Sequence, residues 1–134
     1  MKTTARSASL AFALSLTIAG SAAGGGAKDV ETGIAAYTAK SLEGRKTASG
    51  ERFDAEDMTA AHPTHEPGTR LKVTNLENQR TVEVRVIDHG PTKQNRREGV
   101  IIDVSPAAAE KLGFKKDGET RVRVERIGEK SSSR

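Results

Sequence analysis

Apolar positions divide the chain into a short apolar block near its start and a series of strand-like segments after it. Arg70-Leu71-Lys72-Val73-Thr74 alternates polar and apolar residues with period two, as does Thr81-Val82-Glu83-Val84-Arg85-Val86. Leu76 to Arg80, containing Glu77-Asn78, joins the two as a short turn, which predicts an antiparallel hairpin. Val100-Ile101-Ile102 is a fully apolar run suited to a buried strand. Thr120 to Ile127 alternates again, with Val122 and Val124 facing inward. One helix is expected: Ser105 is its N-cap and Pro106 its first residue, where a missing N–H costs nothing. Ala107 to Leu112 form its body, and Gly113 ends it at the position that favours a left-handed residue. Several short strands, one short helix and glycine-rich connections predict a mainly β domain closed into a small barrel, because closure removes exposed sheet edges.

The N-terminal block has the order of a secretory signal. Lys2 and Arg6 precede the apolar stretch Leu10 to Ile18, and the small residues Ala19-Gly20-Ser21-Ala22-Ala23 follow it. The stretch is too short to remain as a membrane-spanning helix, and Gly24-Gly25-Gly26 argues against an amphipathic helix there. The expected organisation is a cleaved signal peptide over residues 1–27, a barrel domain over 28–128 and a polar, serine-rich, disordered tail over 129–134. The product is expected to be exported, periplasmic or extracellular, and soluble after cleavage.

Composition narrows the classes of function. A length of 134 residues suits one domain. There is no cysteine, hence no disulfide framework, no thiolate metal site and no thiol to carry a lipid, so no stable membrane anchor is expected. With one tyrosine, three phenylalanines and no tryptophan, the core must rely on Val, Ile, Leu and Ala. Loss of Lys2 and Arg6 takes the formal charge from +4 to +2. The remaining charges are mixed in sign, as in Arg121-Val122-Arg123-Val124-Glu125-Arg126, which is a solvated strand face and not a nucleic-acid patch. A monomer with no nucleic-acid partner is expected.

Asp88 is the most informative polar residue. Counting by twos from Val82, Val84 and Val86 places it on the core side of its strand, at the end, before Gly90-Pro91 turns the chain away. There it is either a desolvated general acid or a turn residue that accepts hydrogen bonds. Glu51 lies in the small-residue loop Thr47-Ala48-Ser49-Gly50-Glu51, which lets a ligand approach the backbone. Alone it reads as a surface charge; paired with Asp88 it supplies the second carboxyl that glycoside cleavage needs. His62 and His65 have a metal-like spacing, but Pro63 denies them a shared helix face, so no metal or other cofactor is expected. His62 instead reads as a partner for a carboxylate or substrate, or as a satisfied core residue.

Taken together, the segments resemble the rare lipoprotein A (RlpA) family of septal peptidoglycan lytic transglycosylases. Gly44-Arg45-Lys46-Thr47-Ala48-Ser49-Gly50-Glu51-Arg52-Phe53-Asp54 is similar to the family's G-R-x-T-A-S/N-G-E-x-F/Y-D block. Met58-Thr59-Ala60-Ala61-His62-Pro63-Thr64 is similar to L/M-T-A-A-H-x-T, and Val73-Thr74-Asn75-Leu76-Glu77-Asn78 to V-T-N-L-x-N. Val84-Arg85-Val86-Ile87-Asp88-His89-Gly90-Pro91 is similar to V-x-V-N-D-R-G-P. Ile102-Asp103-Val104-Ser105 with Ala107 to Gly113 is similar to I-D-L-S-x-A-A-A-x-x-L-G. The resemblance implies a six-stranded double-psi β-barrel and endolytic, non-hydrolytic cleavage between N-acetylmuramic acid and N-acetylglucosamine of glycan strands, leaving 1,6-anhydromuramyl ends. It implies Asp88, Glu51 and His62 as catalytic residues, and the same surface offers Tyr37, Thr47, Ser49 and His89 for substrate binding. The chain departs from the pattern at Ala35-Ala36-Tyr37-Thr38-Ala39, where the family has A-S-W-Y-G, and at His89, where it has arginine. These changes keep a second reading open: a non-catalytic glycan-binding or wall-loosening module similar to the expansin barrel.

Overall fold

The hairpin expected from strict alternation forms as read. In the computed structural model, which describes residues 29–128, β3 (Arg70–Asn75) pairs antiparallel with β4 (Thr81–Asp88), from Arg70 opposite Arg85 to Thr74 opposite Thr81. The expected signal peptide and polar tail lie outside the described residues. Four further strands complete the ring: β1 (Val30–Tyr37), β2 (Thr59–Ala61), β5 (Val100–Val104) and β6 (Thr120–Gly128). Their order is β1-β5-β2-β4-β3-β6, closed so that β6 pairs again with β1. Two parallel pairs, β1–β5 and β2–β4, sit in an otherwise antiparallel ring, the double-psi arrangement.

Leu71, Val73, Val84, Val86, Ile102, Val104, Val122 and Val124 fill the interior. Each comes from the inward positions of its strand, and none is aromatic; Phe114 closes the core from the segment after the helix. Such full burial stabilises each Val or Leu by about 1.5–3 kcal/mol relative to exposure. The expected helix is present as Pro106–Leu112. Ser105 Oγ accepts from the Ala108 N–H, Pro106 opens the first turn, and Gly113 stops it at φ 85°. The expectation of a single helix needs correcting. A five-residue helix, α1 (Lys93–Arg97), precedes β5, so the longer one is α2, and a 3-10 turn covers Lys40–Leu42. Thr92 caps α1 through its own side chain, and with no buried residue this helix leaves no apolar periodicity to read.

Candidate active site

A long excursion between β1 and β2 builds the site. Gly44 N–H donates to the Phe53 carbonyl at 2.8 Å, Phe53 N–H returns to the Arg45 carbonyl at 2.8 Å, and Lys46 bridges Arg52. The result is a small hairpin whose tip is Thr47 to Glu51. Its base is anchored by a second apolar cluster of Phe53, Ala55 and Ile87, with Leu42 against it. Its tip is tied to the end of β4 twice: Ser49 N–H donates to the Ile87 carbonyl at 3.0 Å, and Ala48 N–H to Asp88 Oδ1 at 3.1 Å.

Ile87 in that cluster explains a correction to the strand reading. The β2–β4 pairing slips by one residue: Thr59 opposes Arg85 and Ala60 opposes Val86, but Ala61 opposes Asp88. Ile87 is the extra residue, and it turns away from the barrel interior into the loop cluster. Residues in register share a face, so Asp88 lies on the outer face with Arg85 and not on the core side with Val84 and Val86. It is half-buried there. Its Oδ1 accepts from Ala48 N–H and from His89 N–H at 3.0 Å, and its carbonyl accepts from His62 N–H at 3.0 Å. Asp88 thus uses one oxygen in the turn and still borders the cleft.

Glu51 reaches the same edge by another route. Its Oε1 accepts from Arg85 at 2.8 Å, and both side chains are about two-fifths exposed. Arg85 stands on the strand that carries Asp88, so the loop tip lies against that strand, but it is Asp88 and not Glu51 that lines the cleft. The cleft below is lined by Thr38, Thr47, Phe53, Ala61, Ile87 and Asp88, with Arg45 at its edge. Thr47 Oγ1 donates to the Glu51 carbonyl at 2.7 Å, and Ser49 Oγ accepts from Glu51 N–H at 3.2 Å. These two hydroxyl groups shape the tip that carries Glu51. His89 is exposed at the turn beside Asp88.

Two expected site residues point elsewhere. The His62 ring is fully buried. Its Nε2 lies 3.2 Å from Glu31 Oε1, while Nδ1 accepts from Thr64 N–H at 3.1 Å and His65 N–H at 3.2 Å. Two N–H groups on Nδ1 require that nitrogen to be unprotonated, which leaves the proton on Nε2, facing Glu31. His62 touches Asp88 only through its backbone N–H. Tyr37 packs on Phe114, ring centroids 6.1 Å apart, and its hydroxyl donates to the Lys115 carbonyl at 3.1 Å. It borders a separate surface depression with Lys115 and Lys116, not the cleft of Asp88. Among the described residues, no group of three or more His, Asp or Glu side chains is arranged to hold a metal.

Sequence reasoning passed over Asp103. It stands between buried Ile102 and Val104 on β5, and burial pushes its carboxyl up to about 6. The available signal was the pattern V-I-I-D-V itself, which sets an acid at the one polar position of an otherwise apolar strand.

A closed six-stranded barrel with a carboxylate-bearing loop docked on the end of β4 defines a double-psi β-barrel with a rim site. Residues 31–124 match the lytic transglycolase family model, and the chain belongs to that family. Among its relatives, the endolytic peptidoglycan transglycosylase RlpA of Neisseria meningitidis (serogroup A) is 46% identical over 101 residues, 75% of this chain and 41% of the relative. That of Pseudomonas aeruginosa strain UCBPP-PA14 is 44% identical over 95 residues, 71% of this chain and 27% of the relative. The chain therefore spans less than half of these relatives. Among solved structures, the Streptomyces papain inhibitor superposes with a TM-score of 0.59 at 25% identity, covering 74% of this chain and 94% of the inhibitor. A Clavibacter michiganensis expansin mutant in complex with cellohexaose gives 0.58 at 18% identity, covering 78% of this chain and 53% of the expansin, a likeness of fold alone.

Proposed function

We propose that this domain is an endolytic peptidoglycan lytic transglycosylase, exported to the wall compartment, that cuts glycan strands between N-acetylmuramic acid and N-acetylglucosamine. The observation that carries the reading is the docking of the Thr47 to Glu51 loop on the end of β4, where Asp88 lines the cleft, in a chain of this family. Cleavage without water needs a proton for the departing sugar oxygen and an acceptor for the proton of the muramyl 6-hydroxyl, which closes on C1 to form the 1,6-anhydro ring. Asp88 is suited to the acceptor role: two N–H groups hold Oδ1 in place, and no protein hydrogen bond engages Oδ2 among the described residues. Glu51, held by Arg85, adds negative potential where positive charge builds on the sugar ring. Thr47, Ser49 and His89 border the sugar-binding edge, and His62 acts at one remove, by holding the backbone under Asp88.

The expansin-like alternative, binding without cutting, shares the fold but stands at 18% identity, against 42–46% for relatives named as transglycosylases. Variants separate the two readings. Asp88→Asn should lose about 10²–10⁴-fold in cleavage of glycan strands while still binding them. Glu51→Gln should lose less. Cleavage by Asp88→Asn at the parental rate would remove Asp88 from the mechanism.

A further inference from the structure

Glu31 is an acid at an inward position of a barrel strand. It pairs with Val124 of β6, and Val124 pairs in turn with Val73 of β3; both valines are buried. Partners in register share a face, so Glu31 continues a row whose other members belong to the core. A carboxylate in that position loses hydration and must find a partner. Its partner is the fully buried His62, whose Nε2 lies 3.2 Å from Glu31 Oε1. The His65 ring leans on that of His62, with ring centroids 4.5 Å apart. A polar pair of this kind adds little stability over well-packed apolar side chains of similar volume. Stability therefore does not account for an acid at position 31.

What Glu31 controls is the place of the His62 proton. His62 Nδ1 accepts from Thr64 N–H at 3.1 Å and from His65 N–H at 3.2 Å, so the turn after β2 closes around the ring. A neutral imidazole carries one proton, and an acceptor at Nε2 fixes it there. With the proton on Nδ1, both backbone donors would face an N–H and the turn would open. The turn bears on Asp88 because β2 ends at Ala61, the residue opposite Asp88 past the slip at Ile87. The next residue, His62, gives its backbone N–H to the Asp88 carbonyl at 3.0 Å. A path of hydrogen bonds thus runs from Glu31 on β1, through the ring and backbone of His62, to the backbone of Asp88 on β4. Glu31 and His62 are both absent from the lining of the cleft, so this path reaches the site from behind.

We propose that Glu31 is a positioning residue for Asp88. It accepts the Nε2 proton of His62, which keeps Nδ1 open to the turn and holds the end of β4 in the place where Asp88 meets the sugar. The assignment rests on the transglycosylase reading, in which Asp88 receives the proton of the muramyl 6-hydroxyl. Misplacing a reacting group by about 1 Å can cost about 10²-fold in rate, so a change at Glu31 is felt at the cleft without any contact there.

The test compares the full chain with Glu31→Gln and Glu31→Leu on peptide-stripped glycan strands, with rates taken per folded molecule. Glu31→Leu should lose about 10–10²-fold in kcat with little change in KM. Its melting temperature should stay near that of the parent, because leucine suits an inward position. Glu31→Gln, whose Oε1 still accepts from Nε2, should recover most of the rate. If the parent cuts and Glu31→Leu cuts equally fast, the assignment is overturned while the transglycosylase reading stands. Equal losses in Glu31→Gln and Glu31→Leu also overturn it, since acceptance of the proton is then not the role. A parent that never cuts overturns both readings. Should Glu31→Leu not fold, nitrogen-15 NMR of the parent's histidine rings decides: His62 must carry its proton on Nε2 at the pH of the assay, and a proton on Nδ1 overturns the assignment.

Discussion

Asp88 and Asp103 both pair with Ala61, yet their carboxyl groups have opposite surroundings, and their responses to substitution should differ accordingly. Asp88 Oδ1 accepts two backbone N–H bonds. Asparagine retains a carbonyl oxygen at that position, so Asp88→Asn should melt within a few degrees of the parent although it no longer cuts. Asp103 has its pKa raised from 3.8 to about 6 by burial. Folding thus favours its protonated form, and this contribution is complete below pH 3.8 and lost as pH rises through 6. Asp103→Asn, uncharged at every pH, should gain about 1–3 kcal/mol on the parent between pH 4 and pH 8. Denaturant titrations at both pH values check this, and parallel pH dependences would contradict it. His62→Ala should cost about 2–4 kcal/mol, because it leaves a cavity and strips Thr64 N–H and His65 N–H of their acceptor. Asp88 was legible in the sequence as a polar residue closing an apolar strand, but its face was not. Parity counting assumes an unbroken ladder, and the slip at Ile87 reverses it. Asp103 was passed over because the run Val100-Ile101-Ile102 before it reads only as core.

At the scale of elements, what local rules govern was legible and what distant pairing governs was not. Helix α2 follows from its own cap and stop, and the β3–β4 hairpin from period-two alternation and a short turn. Strand β1 escapes the pattern because its inward positions are Glu31, Gly33, Ala35 and Tyr37, which make no apolar alternation, and β2 has only three residues. Both are strands because β5, β6 and β4 pair with them, which no local window contains. Two elements meet at Ser105: its Oγ caps α2 at Ala108 N–H and donates to the Asp57 carbonyl at 2.6 Å. Ser105→Ala should therefore lower stability by about 1–2 kcal/mol in chemical denaturation. A loss below a few tenths would show that the cap and the loop tie carry no weight. Gly90→Ala would force a side chain at φ 148° against Ala61 Cβ at 3.2 Å, and should displace the turn that follows Asp88. Cleavage should fall in this variant more than melting temperature does.

For the whole molecule, the barrel is a frame that presents one end of β4, one loop and the end of β2 to a common cleft. Among the described residues, its closed ring leaves no open edge of the barrel sheet for strand pairing. The same frame serves an inhibitor and an expansin, so the fold alone does not choose between cutting and holding. On the proposed reading the choice falls to the carboxyl groups of the site, and the ends of cut strands report the chemistry. Purified protein incubated with peptide-stripped glycan strands, followed by mass spectrometry of the fragments, reads those ends directly. The account predicts new fragments ending in 1,6-anhydromuramic acid, a mass of one water less than a reducing end. Strands that are bound but uncut, or fragments with reducing muramic acid ends, would contradict it.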